Sequence, residues 1–223
     1  AFRKKGYNVG TKFVEPMDVY IVSVWTTEQV IDVVSNLDMS LKPLVVIEST
    51  IEVGTCDKLR KMIPKKFDLV TFPHRYNGGD ADHRVFNIKR VLGGVDAKSV
   101  KRAKKFYEQL MEPGLIHVVK DVRSAEICKV VENAYRFLQI AIAQEIRMNL
   151  QQEGFDWREV LDACNTKWNI NILEPRDGIG KHCLPKDIKI FNKMFPDNYM
   201  FEDAEVTNED YIKFVGRNYG KKV

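Results

Sequence analysis

The chain has 223 residues, 44% of them hydrophobic, and its 35 basic and 31 acidic side chains leave a formal charge of +4. That length can bury a core without staples, the interspersed charges form no basic stripe for nucleic acid, and the longest apolar stretches, 19–25 and 44–47, are far too short to span a membrane. With no signal-peptide core, and with Cys56, Cys128, Cys164 and Cys183 forming no CxxC pair, the composition predicts a soluble cytoplasmic chain with reduced thiols, no metal site and no disulfide framework.

From 18 to 120, short β-rich runs alternate with helical stretches. The runs cover 19–24, 44–47, 69–72, 90–92 and 115–119, and they are almost wholly apolar rather than alternating. That pattern suits strands covered on both faces, as in a parallel α/β sheet with crossover helices. The helices are expected over 28–37, 56–63 and 97–110, with Thr55 and Asp96 as candidate caps. Ligands of such sheets gather at the carboxyl ends of the strands. The loops expected there are Trp25-Thr26-Thr27, Glu48-Ser49-Thr50, Pro73-His74-Arg75 and Gly93-Gly94.

The pattern changes at Asp121, where a domain boundary is expected, with a partial dinucleotide-binding α/β domain over 1–121 and a helical domain over 122–223. Between 124 and 153 there is no Gly or Pro, and Ile127, Val131, Ala134, Leu138, Ala141 and Ile142 recur near helical period, which predicts one long helix. Gly154 ends it. Asp156 and Glu159 read as a capping box for a helix over 157–164. A polar loop over 165–186 leads into a last helix, 185–195, with Pro185 in its first turn. Beyond Pro196 the tail is acidic and then basic, with no periodicity assigned to it.

Cys183 lies in Gly178-Ile179-Gly180-Lys181-His182-Cys183-Leu184-Pro185-Lys186-Asp187 at the mouth of that last helix. The helix N-terminus, with Lys181 and Lys186, would stabilise a thiolate and make the sulfur nucleophilic. A buried structural cysteine is the competing reading. Lys129 and Asn133, four apart on the long helix, share a polar stripe with Glu126 and Arg136. Either the stripe is a solvated face or the pair donates hydrogen bonds to a developing oxyanion. Thr50 ends a strand and could hold a water or a cofactor group. The four histidines have no metal-ligand spacing, and His117 is expected in a strand.

Read in order, these segments resemble the UDP-glucose/GDP-mannose dehydrogenase family of nucleotide-sugar 6-dehydrogenases. The run Met17 to Val24 is similar to the strand leading into that family's cofactor loop. Val45 to Thr50 with Val53-Gly54-Thr55 is similar to its next strand and turn. Ser124 to Lys129 with Glu132 to Tyr135 resembles the start of its central dimer helix, and Gly178 to Asp187 resembles its catalytic-cysteine motif. The similarity runs over about 18–191 and implies a Rossmann-like sheet followed by an all-helical central domain.

It also implies NAD as cofactor and a four-electron oxidation of a sugar C6 hydroxymethyl group, of UDP-glucose or UDP-N-acetylmannosamine type, through a Cys183 thiohemiacetal and thioester. Lys129 and Asn133 would stabilise oxyanions, and Asp187 with Thr50 would position and deprotonate water or alcohol. Val24, Trp25, Thr26, Ser49, Thr50 and Lys186 would contact the cofactor. His74, Arg75, Lys129, Asn133 and Gly180 would contact the substrate. The long helix, 124–153, would pair with its copy in a homodimer.

Departures are visible too. The Gly-rich pyrophosphate turn and its ribose-gripping acid are not found, and Ala1 to Val9 looks like the tail of one helix and the opening of the next strand. The family's C-terminal domain is not represented. His74 stands where many members carry a glutamate after the proline. His182 resembles the N-acetylmannosamine branch, whereas Pro185-Lys186-Asp187 resembles the glucose branch. The alternative is a truncated, non-catalytic relative that serves as a dimerising or binding module.

Overall fold

The computed structural model describes residues 2–3, 6–10, 15–64, 66–76, 80, 82–180 and 182–219. The chain divides into two compact units, Ala1–Lys129 and Val130–Val223. The expected boundary lay just before the long helix, whereas the units part inside it.

The first unit runs β1 (Val19–Val22), α1 (Thr27–Ser35), β2 (Leu44–Ile47), α2 (Thr55–Met62), β3 (Asp68–Thr71), β4 (Arg90–Gly94), α3 (Ala97–Tyr107), a 3-10 turn and β5 (Ile116–Val118). The strands form one sheet in the order β1-β2-β3-β4-β5. Every residue of β2, β3 and β4 is buried, which is why their sequences do not alternate. Val45 and Ile47 point into a layer with Val30 and Val34 of α1 and Leu59 of α2. Leu44 and Val46 point the other way, to Ala103 and Tyr107 of α3.

The sheet is parallel, as expected, except at one pairing. β1, β2 and β3 are parallel, but β4 runs antiparallel to β3, with Val70 opposite Gly94 and Thr71 opposite Gly93. A parallel return needs a crossover helix, and the described residues between β3 and β4 contain none. β5, reached through α3, is again parallel to β4. The reversal also moves Gly93-Gly94 away from the edge formed by the carboxyl ends of β1, β2 and β3. A Cβ on Gly93 would sit 2.7 Å from that of Ala125 and 2.8 Å from the Asp121 carbonyl, so this glycine serves close packing. In the place of Gly93-Gly94, the reversed strand brings Arg90 to the carboxyl edge.

Thr26 caps α1 in a reciprocal capping box with Gln29. Asp96 caps α3, accepting from Ser99 N–H. The expected cap at Thr55 is corrected: Gly54 holds that position on α2, and Thr55 is its first helical residue. Residues 6–10 form neither helix nor strand, so the strand expected to open near Tyr7 is not present there. Phe2 instead stacks on Phe106 of α3.

The long helix, α4, spans Val122–Gln152. In the second unit its buried face is Val130, Ala134, Phe137, Ala141 and Gln144, while Val131 and Ile142, expected to share that face, are exposed. α5 (Trp157–Asn165) follows, with Asp156 accepting from Arg158 and Glu159 N–H. α6 (Cys183–Met194) begins two residues before the expected start. The unassigned tail is a further helix, α7 (Tyr199–Tyr219). Its inward positions, Ala204, Asn208 and Tyr211, have helical spacing, but an alanine and an asparagine give little hydropathy signal. Among the described residues no helix is long and apolar enough to cross a membrane.

Candidate active site

At the carboxyl edge of the first unit's sheet, three loops stand side by side. Ser49, just past β2, is buried; its hydroxyl accepts from Val24 N–H at 2.7 Å and donates to Val24 C=O at 2.8 Å. Both hydroxyl functions therefore hold the ends of β1 and β2 together. Thr50 follows, half-buried, while Trp25 is 64% exposed and leaves its ring on the surface.

Glu48 anchors a charged cluster at this edge that composition alone did not single out. Its Oε1 accepts from Arg90 at 2.7 Å and from the Tyr107 hydroxyl at 3.0 Å, and its Oε2 lies 2.6 Å from His74 Nε2. Arg90 is fully buried, donates to the Phe72 carbonyl, and lies over the Phe72 ring at 3.9 Å. Burial works against the charge on Glu48, yet the bonds from His74 and Arg90 outweigh it and hold the carboxyl below its ordinary range. Burial, with Glu48 alongside, pushes the Tyr107 phenol well up. His74 is thus tethered to a carboxylate. Arg75 donates to the Lys89 carbonyl at 3.0 Å and reaches Cys128 Sγ at 3.8 Å. The available signal was a single charge in each of two otherwise apolar runs.

For Glu126 the solvated alternative does not hold: it is 1% exposed. The N–H groups of Gly54 and Cys56 donate to its two oxygens at 2.6 and 2.9 Å, so a side chain from α4 caps α2. Burial raises the Glu126 pKa against the pull of those two N–H groups. Lys129, one turn further along α4, is half-buried.

In the second unit Cys183 is the first residue of α6 and is exposed. One turn on, Asp187 is fully buried. Asn133 Nδ2 donates to its Oδ2, and Lys186 Nζ lies 2.5 Å from its Oδ1. Three predicted residues, Asn133, Lys186 and Asp187, therefore meet in the first turns of α6, which a fourth, Cys183, heads. Gly180 is exposed, with open space where a Cβ would stand. Lys181 lies outside the described residues. Thr50, Ser49, Val24, Trp25, Thr26, His74, Arg75 and Lys129 belong to the first unit. Among the described residues no group of His, Cys, Asp or Glu could hold a metal ion.

Residues 17–111 match the NAD binding domain, and residues 123–209 the central domain, of the UDP-glucose/GDP-mannose dehydrogenase family. A UDP-N-acetyl-D-mannosamine dehydrogenase of Methanocaldococcus jannaschii is 34% identical over 90% of this chain and 50% of its own length. An NDP-N-acetyl-D-galactosaminuronic acid dehydrogenase of Ralstonia nicotianae is 29% identical over 82% of this chain and 49% of its own. The structure of UDP-D-ManNAc dehydrogenase from Pyrococcus horikoshii superposes with a TM-score of 0.81 and 27% identity, covering 92% of this chain and 53% of that one. The chain spans about half the length of the relatives it matches. Two consecutive domain matches in the family's own order, over a sheet edge and a cysteine-headed helix built as described, show that the chain belongs to the UDP-glucose/GDP-mannose dehydrogenase family.

Proposed function

We propose that the chain is the dinucleotide-binding and central part of an NAD-dependent dehydrogenase that oxidises the C6 hydroxymethyl group of a nucleotide sugar to a carboxylate. The observation that carries this reading is Cys183, exposed at the head of α6, with Asp187 buried one turn behind it and hydrogen-bonded to Asn133. A thiol at a helix N-terminus is a suitable nucleophile for a carbonyl carbon.

The fit to NAD is partial. Trp25 offers an exposed ring at the carboxyl edge. The Thr26–Gln29 capping box already uses donors at the α1 N-terminus, and no Gly-rich turn follows β1. These residues suit contact with one part of the cofactor rather than the grip on its pyrophosphate. NAD, when bound, accepts the hydride of each oxidation.

The chain's own residues do the rest. The Cys183 sulfur adds to the aldehyde carbon, and the carbonyl electron pair moves to oxygen, where Lys129 and Asn133 stabilise it. After the second oxidation, water adds to the Cys183 thioester, the C–S bond breaks, and the carboxylate leaves with the thiolate restored. Asp187 orients Asn133 and Lys186; its complete burial favours this role over direct contact with water. By the family resemblance, Thr50 is assigned to positioning the alcohol or water, and His74, held by Glu48, and Arg75 to contact with the sugar nucleotide.

UDP-N-acetylmannosamine and UDP-glucose are the substrates to test first. Uronate formation by this chain with NAD is expected with one of them and lost in Cys183→Ser; a variant that forms uronate at the wild-type rate removes the assignment. A homodimer through α4 is part of the same proposal, because Val131, Tyr135 and Ile142 leave an apolar stripe exposed on that helix. Light scattering at micromolar concentration tests it, and a monomer counts against it. Free cysteines suit a cytoplasmic setting.

A further inference from the structure

The turn before Cys183 is held by a buried polar clamp from two helices. Asn208 of α7 brackets one residue: its Oδ1 accepts from Ile179 N–H at 2.8 Å and its Nδ2 donates to Ile179 C=O at 3.3 Å, which fixes the peptide groups on both sides of Ile179. Gln144 of α4 donates to the same Oδ1 at 2.9 Å. A few residues earlier, the Arg176 carbonyl accepts from Arg147 at 3.1 Å and from the Tyr211 hydroxyl at 2.5 Å. Gly178, between these two anchor points, has φ +117, and a Cβ there would meet Ile212 Cγ1 at 2.7 Å. Ile179 itself packs with Phe137, Ile188 and Ala204.

Gln144 is the informative member. It is fully buried, and its Oε1 has no hydrogen-bond partner among the described residues. A half-satisfied buried amide is a poor way to gain stability. What it contributes is orientation, because its N–H fixes which end of the Asn208 amide faces Ile179 N–H. Three residues separate Ile179 from the head of α6, so the clamp anchors the chain close to the point where it enters the helix.

We propose that Asn208, oriented by Gln144, is a positioning residue for Cys183, holding the thiol at the α6 N-terminus. The proposal rests on the reading of Cys183 as the nucleophile and extends it to residues that touch neither substrate nor cofactor.

The test is alkylation of the intact chain by iodoacetamide at neutral pH, followed residue by residue by peptide mass spectrometry, with exposed Cys164 as the internal control. In Asn208→Ala the Cys183 rate is expected to fall by roughly threefold or more, with Cys164 unchanged. Gln144→Met removes the half-bonded amide, so its unfolding midpoint should hold or rise while Cys183 still slows. That separation is what a purely structural role would not produce. If Asn208→Ala fails to fold, Gln144→Met, which leaves both bonds between Asn208 and Ile179 in place, carries the test. A Cys183 rate in the folded variants that equals or exceeds wild type overturns the proposal. Wild-type Cys183 reacting no faster than Cys164 would overturn the nucleophile reading instead, and the variant-to-wild-type ratio would still decide the clamp.

Discussion

Glu48 and Arg90 in the first unit are buried charges paired with one another, with His74 and Tyr107 also on the carboxylate, while Arg90 Nη1 and His74 Nδ1 have no hydrogen-bond partner among the described residues. Gln144 and Asn208 in the second are buried neutral amides, and one acceptor of Gln144 is left over. Desolvating a carboxylate and a guanidinium is expensive, so the first network holds only while every partner remains. A neutral amide costs far less to bury, so the second network can lose a member and keep the fold. Charge here makes the sheet edge brittle, whereas the amide clamp sets geometry.

The largest expected effect breaks the charged pair. Arg90→Met strands the Glu48 carboxylate in the core and should cost about 3–5 kcal/mol in urea unfolding. Adding Glu48→Gln should recover a good part of that loss, since no charge is then left unpaired. A loss below about 1 kcal/mol in the single variant would mean that His74 alone carries the carboxylate, and the contrast between the networks would fail.

Next comes the turn before Cys183. Gly178→Ala places a side chain at φ +117 and against Ile212, with an expected cost of about 1–3 kcal/mol. Thermal unfolding measures it. Pairing the change with Ile212→Ala relieves the contact but not the backbone strain, so partial recovery would separate the two causes.

Legibility from sequence follows the same divide. The buried strands were readable because β2 is a continuous apolar run and 69–72 is apolar but for Thr71, and α4 because thirty residues pass without Gly or Pro. The direction of β4 was not readable, since it depends on whether a crossover helix lies between 72 and 89 rather than on the strand's own residues. α7 escaped because its inward face carries Ala204 and Asn208, which do not look like core. Of the residues the motif singles out, Asn133 and Asp187 are hydrogen-bonded, and Cys183 heads the same helix, α6. Glu48, Arg90 and Asn208 were missed because their roles depend on partners 42, 42 and 64 residues away. The capping role of Glu126 is hidden for the same reason, because helical spacing says nothing about a distant helix end in need of a cap.

A smaller effect is expected at α1. Thr26→Ala removes the capping-box acceptor and should cost about 0.5–2 kcal/mol by urea unfolding. Thr26→Ser should restore most of it. A full restoration of stability without restored NAD affinity would point to cofactor contact by the threonine methyl group.

The smallest effect is a matter of sign, since two buried carboxylates of the first unit oppose each other in acid. Glu48 is held below its ordinary range, so its contribution is complete above the unfolded-state value and is lost as pH falls through the lowered folded one. Asp68, where burial is outweighed by Arg102 and Lys98, acts in the same direction. Glu126 is raised by burial, so the folded state takes up its proton first, and its contribution is present in acid and lost as pH rises through the raised folded value. In the wild type these slopes partly cancel. Glu126→Gln removes the opposing member, so stability measured by urea unfolding across the acid range should fall more steeply on acidification than in the wild type. An unchanged slope would mean that burial and the two N–H donors balance, and a shallower one that Glu126 stays ionised under those donors, so that the cap behaves as a charged group rather than as a buried acid.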